Sequence, residues 1–268
     1  MIRRKLLWAI KRHPFLYTTR FRLLSENTTV DAIKTLDYNR INPSNDIPEY
    51  YHKINNEIFA SSNNTMTDIE KINILILWMK KNIKGGPGLS LDSEKVLQFM
   101  IEGKGGVCSD LVQIFNNFCI INNIKVREWG LTRIPFDKSY GGHSFNEIYD
   151  NIQHKWIMLD VSYGCYFEDN KGNKLSVIEY FKALRNKEEV GFKTFNEDFT
   201  IKRKILDFKY CNKNAAPFLI RNYSNKVYDS YLKKYNKWFP TFIIHYLIYL
   251  TGRSYRFMFP LNNYKDLF

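Results

Sequence analysis

Apolar residues recur at helical spacing in three stretches of the first half of the chain, and at strand-like spacing in the stretch that follows. Ile69, Ile72, Leu75, Ile76 and Met79 predict a helix from Asp68 to Ile83, with Thr67 as N-cap and Gly85-Gly86-Pro87-Gly88 as its stop. Val96, Leu97 and Met100 predict a shorter helix from Ser93 to Ile101. Val112, Phe115 and Cys119, with Leu111 and Phe118 beside them, predict a third that starts at Cys108 or just after it and ends near Asn122. The period then changes. Lys125 to Leu131, His143 to Tyr149 and Lys155 to Asp160 read as strands, with a turn signal at Asp150-Asn151 between the last two. Helices followed by strands joined through short turns define an α+β class, with N-terminal helices packed on an antiparallel sheet.

The flanks are less regular. Residues 1–25 read as a basic amphipathic helix broken at His13-Pro14. Leu6, Leu7, Ile10, Phe15 and Leu16 form one face, and Arg3, Arg4, Lys5, Lys11 and Arg12 another. Such a helix either lies on an anionic membrane surface or docks on the core with its basic side in water. Residues 26–65 read as loops with short helices, punctuated by Asn42-Pro43-Ser44-Asn45 and Ser61-Ser62-Asn63-Asn64. Residues 175–238 read as mostly helical, and 239–268 are aromatic. The expected division is a basic N-terminal segment over 1–64, a core over 65–170, and a mostly helical C-terminal extension over 171–268 packed on it.

Composition narrows the class. With 44% apolar residues in 268 and a mean hydropathy of −0.39, the chain folds around a sizeable core and is not disordered. The longest apolar stretch, Phe239 to Leu250, is interrupted by Pro240 and His245 and reads as a core or interfacial segment rather than a membrane span. The N-terminal apolar stretch is too short for a signal peptide and no small-residue cleavage site follows it. A cytoplasmic location is expected, peripheral at the inner membrane face if the basic N-terminus meets anionic lipid. The net charge of +13 favours acidic partners, although a lysine-rich background is also what an AT-rich genome produces. No helix-turn-helix, RNP or KH signature accompanies that charge, which argues against nucleic acid. The four cysteines, Cys108, Cys119, Cys165 and Cys211, form no CxxC pair and no zinc spacing. No EF-hand loop is present either, so no metal or cofactor is implied. Few cysteines in a chain this long fit a reducing compartment.

Three residues stand in settings that suit thiol chemistry. Cys108 closes the glycine-rich turn Gly103-Lys104-Gly105-Gly106-Val107 and opens a helix. A helix N-terminus carries roughly half a positive charge and favours thiolate. Its backbone amides are natural donors to an oxyanion. His143 follows Gly141-Gly142 and opens a strand, and Asp160 ends the next strand, 17 positions on. Two strands joined by a hairpin bring the imidazole and the carboxylate side by side. His143 is then the candidate base and acid, and Asp160 the group that fixes its tautomer.

The blocks Gly106-Val107-Cys108-Ser109-Asp110, His143-Ser144-Phe145-Asn146-Glu147-Ile148-Tyr149 and Trp156-Ile157-Met158-Leu159-Asp160 resemble, in that order, the core of the transglutaminase-like superfamily. The resemblance covers roughly residues 65–165. Phe145 stands where a tryptophan is frequent, and Val161-Ser162-Tyr163-Gly164 where many members have a proline or threonine. The resemblance implies a papain-like fold with a Cys-His-Asp triad of Cys108, His143 and Asp160. It also implies acyl transfer through a thioester on Cys108, either hydrolysis or transamidation. The implied substrate is a peptide, protein or glycopeptide-like amide. The competing expectation is an idle module of this fold used for binding or assembly. Trp78 and Gln98 lie where the superfamily sometimes places a side-chain oxyanion donor. Trp78 reads instead as core and Gln98 as solvated.

Overall fold

The computed structural model describes residues 13–26, 28–36, 39–61, 66–137, 139–197, 199–221, 224–252 and 256–258. The basic stretch 1–12 and the aromatic end 259–268 lie outside the described residues. What is described of the N-terminal helix is α1, Pro14–Leu24, which opens with proline at its first position.

The predicted helices form where the apolar period places them. After β1 (Ser25–Glu26), α2 (Val30–Lys34) and α3 (Glu49–Ile58) comes α4, Asp68–Asn82. Thr67 caps α4 with a full capping box: its hydroxyl accepts from Glu70 N–H, and the Glu70 carboxylate accepts from Thr67 N–H at 2.7 Å. Helix α5 spans Ser93–Ile101 and α6 spans Cys108–Ile121. Strands β2 (Val126–Arg133), β3 (His143–Asp150), β4 (Lys155–Asp160) and β5 (Cys165–Asp169) follow as an antiparallel meander.

Beyond residue 170 the chain continues through α7 (Val177–Arg185), β6 (Val190–Thr194), α8 (Arg203–Tyr210), β7 (Ala215–Arg221), α9 (Asn225–Tyr235), α10 (Thr241–Leu250) and β8 (Arg256–Met258). Helices dominate this part, as the pattern indicates, yet the sheet does not stop at residue 170. Strands β7-β2-β3-β4-β5-β6 form one antiparallel sheet, extended past β7 by the short β8 and β1. Strand β7 pairs with β2 from Trp129↔Leu219 to Arg133↔Ala215. The run Ala215-Ala216-Pro217-Phe218-Leu219-Ile220 is a buried strand too short to show a period, which is why it is hidden in a lysine-rich helical region. No helix among the described residues is long and apolar enough to cross a membrane.

Alternate strand residues face two separate cores. Val126, Ile148, Ile157, Leu159, Ala216 and Ile220 pack with α3, α4, α5 and α6. Trp129, Leu131, Phe145, Met158, Phe167 and Leu219 pack on the other face with α7 and α8. Helix α6 is enclosed: Val112, Ile114, Phe115, Phe118 and Cys119 are fully buried. Removing a buried phenylalanine costs about 3–5 kcal/mol, so this packing fixes the helix firmly against β2 and β3. The buried Arg127 guanidinium is held by the carbonyls of Ile33 and Lys34 at 2.6 and 3.2 Å and lies over the Trp156 ring. It ties α2 to the sheet.

Candidate active site

The site forms where the N-terminus of α6 meets the start of β3 and the end of β4. The backbone arriving at α6 is pinned first. Gly86 N–H donates to the Gly106 carbonyl and Gly106 N–H to the Pro87 carbonyl, both at 2.7 Å. Gly106 has φ +121°, and a Cβ there would sit 2.3 Å from the Met100 methyl. Any other residue at this turn would be strained at that angle and would push the buried Met100 side chain aside. Val107 N–H then donates to Asp110 Oδ2 at 2.8 Å, a reversed cap that settles one of the loose amides of the first turn. Cys108 is the first helical residue and is partly exposed.

Opposite it, His143 is 7% exposed and Asp160 fully buried. His143 Nε2 lies 2.6 Å from Asp160 Oδ2. That leaves Nδ1 as the ring nitrogen for the hydrogen bond with the Cys108 thiol, which also receives the Ser144 N–H. Burial pushes the Cys108 thiol up, but the His143 hydrogen bond and charge, with the Ser144 amide, bring it below the usual cysteine range. Burial pulls His143 the other way; the Asp160 charge and hydrogen bond outweigh it and, with Cys108, raise the imidazole to about 10. Both directions agree: the favoured state is thiolate beside imidazolium. Cys119 and Cys165, buried without such partners, are pushed well above the usual range, and Cys211 is raised by burial as well.

Asp160 is itself held by four donors. Oδ2 accepts from His143 and from the Tyr210 hydroxyl at 2.6 Å; Oδ1 accepts from the amides of Ser162 at 2.9 Å and Tyr163 at 3.3 Å. Burial alone would raise its pKa, but His143, Tyr210 and Ser162 together lower it below the ordinary carboxylate value. The rings of Tyr163 and Tyr210 flank the imidazole, each with its centroid 5.8 Å away.

The structure thus brings together Cys108, His143 and Asp160, the three residues singled out from the sequence. It adds Tyr210, which the sequence does not reveal: it is one of 18 tyrosines, 50 positions after Asp160, at the end of a helix with no motif. Trp78 packs edge-on against Phe118 with ring centroids 5.7 Å apart and belongs to the core, as its apolar setting indicates.

A cavity of about 170 Å³ lies beside Cys108, lined by its neighbours Val107 and Ser109. Residues 88–90 form one wall; Ser109, Asp110 and Gln113 of α6 and Glu128 of β2 form another. Tyr228 of α9 and His245 of α10 reach it from the C-terminal helices. Glu128 is 6% exposed, and burial, with the nearby Cys108 charge, raises its carboxyl to about 8.

Residues 53–161 match the family model of the transglutaminase-like superfamily. The match contains Cys108, His143 and Asp160 and ends before Tyr210. A solved structure described as a "Putative Cysteine Protease" from Cytophaga hutchinsonii is similar at 17% identity and a TM-score of 0.35. That alignment covers 74% of this chain and 68% of the other. No curated protein matches the chain.

Proposed function

We propose that this protein is a cysteine-dependent acyl-transfer enzyme acting on an amide through a thioester on Cys108. The observation that carries this reading is the alignment of Cys108, at a helix N-terminus, with an imidazole whose far nitrogen is held by a buried carboxylate. The thiolate attacks the amide carbonyl carbon and forms the C–S bond. The negative charge moves to the carbonyl oxygen, toward the amide groups that open α6. As the tetrahedral intermediate collapses, the C–N bond breaks and His143 gives its proton to the leaving amine. Water, or a second amine, then attacks the thioester while His143 takes its proton, and the acyl group leaves as acid or new amide. Asp160 keeps the imidazole in one orientation throughout. The substrate class is a peptide, protein or glycopeptide-like amide. Residues 65–170 supply the reacting groups, and the extension 171–268 supplies Tyr210 and one wall of the cavity.

The test is mass spectrometry of the protein incubated with candidate amides, together with iodoacetamide labelling at pH 6–7. An acyl adduct on Cys108, absent in Cys108→Ala, is the expected result. Labelling of Cys108 no faster than that of the exposed Cys211 would end the enzyme reading and leave a binding module.

A further inference from the structure

Among the described residues Glu128 is a buried carboxyl with no lysine or arginine partner, lining a cavity beside Cys108. Its one hydrogen bond among the described residues comes from Asn116 Nδ2 to Oε2 at 3.4 Å. The orientation of that amide is fixed, because Asn146 Nδ2 donates to Asn116 Oδ1 at 2.8 Å and leaves the Asn116 amino group to face Glu128. Oε2 is therefore the accepting oxygen, and among the described residues Oε1 makes no hydrogen bond, while the side chain lines the cavity. Among the described residues no lysine or arginine lines that space, although the chain carries 40 of them. Burial and the neighbouring thiolate both oppose ionisation, so below about pH 8 the group is the neutral acid, with its proton on the free oxygen.

We propose that Glu128 orients the scissile amide, its carboxyl O–H donating from the cavity to the carbonyl oxygen that Cys108 chemistry makes negative. The proposal rests on the acyl-transfer reading above and supplies a side-chain donor to stand beside the backbone amides that open α6. A neutral acid suits the position. It donates to an oxyanion, accepts an amide N–H on the same group, and adds no charge against the thiolate. Once ionised, it loses the donor and repels the developing charge.

Cys108 can be read without knowing the natural substrate. Its modification rate is measured with iodoacetamide, which carries a carbonyl, and with methyl methanethiosulfonate, which carries none. The protein is the full chain, the pH runs from 6 to 9.5, and each cysteine is followed by mass spectrometry. The ratio of the two rates cancels the thiolate fraction. In the native protein the ratio falls roughly tenfold as pH passes about 8, the loss of one donor hydrogen bond. In Glu128→Gln the ratio stays high and flat, because the amide still donates and does not titrate. In Glu128→Ala it is low at every pH. Asp110, Tyr228 and His245 share the cavity, and Cys108 and its partner His143 titrate as well, so the glutamine variant decides. An inflection that survives Glu128→Gln belongs to one of those groups and overturns the proposal, as does a flat ratio in the native protein. Cys108 reacting no faster than Cys211 with either reagent would instead remove the acyl-transfer reading itself.

Discussion

Replacing Tyr210 by phenylalanine tests the electrostatics of the site with little disturbance of its packing. The ring stays among Phe145, Phe167 and Tyr180, whose centroids lie 4.9 to 6.2 Å away. Only the hydroxyl that donates to Asp160 Oδ2 at 2.6 Å is lost. A hydrogen bond to a buried charge contributes about 1.5–3 kcal/mol. For a chain of this size that corresponds to roughly 3–10 °C in melting temperature at pH 7. The pH dependence has a definite sign. The folded-state pKa of Asp160 lies below its unfolded value, so its contribution is present above about pH 4 and is lost as pH falls through the folded value. The variant raises that folded value, so acid unfolding begins at higher pH. The two melting curves converge at the lowest pH, where both carboxyls are protonated. Thermal unfolding by circular dichroism between pH 2 and 8 measures this. Tyr180→Phe is the control, since among the described residues that hydroxyl meets only Cys211 Sγ at 3.6 Å, and its loss is expected to cost under about 1 kcal/mol. Equal melting temperatures for native protein and Tyr210→Phe, or equal losses in the two variants, would refute the argument.

Other outcomes follow from the same geometry. The raised pKa of His143 contributes stability that is full below about pH 6.5 and is lost as pH rises toward about 10. His143→Gln is expected to flatten that alkaline decline in urea unfolding and to slow iodoacetamide labelling of Cys108 at pH 6.5 by at least tenfold. Gly106→Ala places a methyl against Met100 at a backbone angle that L-residues avoid, and is expected to cost roughly 2 kcal/mol or more and to weaken Cys108 labelling. Phe115→Ala, in the sealed face of α6, is expected to cost about 3–5 kcal/mol in chemical denaturation.

Much of the site was legible because its parts are local. Glycines at positive φ before Cys108, a capped amphipathic helix at Thr67 and strand runs opening at His143 and ending at Asp160 are each written within a few neighbouring residues. What escaped is non-local. Tyr210 acts through one hydroxyl whose partner lies 50 positions away, and Glu128 matters only because a cavity happens to open beside it. Strand β7 is seven residues without alternation, recognisable once β2 is seen to need a neighbour. Charge patterning, by contrast, said little: for all the surplus of lysine and arginine, none among the described residues lines the cavity.

The way β7 lies along β2 bears on how this transglutaminase-like fold could be moved or inherited. A fragment cut to the matched span would leave β2 with a bare row of amides and carbonyls, an invitation to self-association. It would also strip the hydroxyl from behind the aspartate that steadies the histidine. The smallest portable piece of this fold is therefore larger than its signature, and any graft of Cys108, His143 and Asp160 must carry the later strand and helix with them.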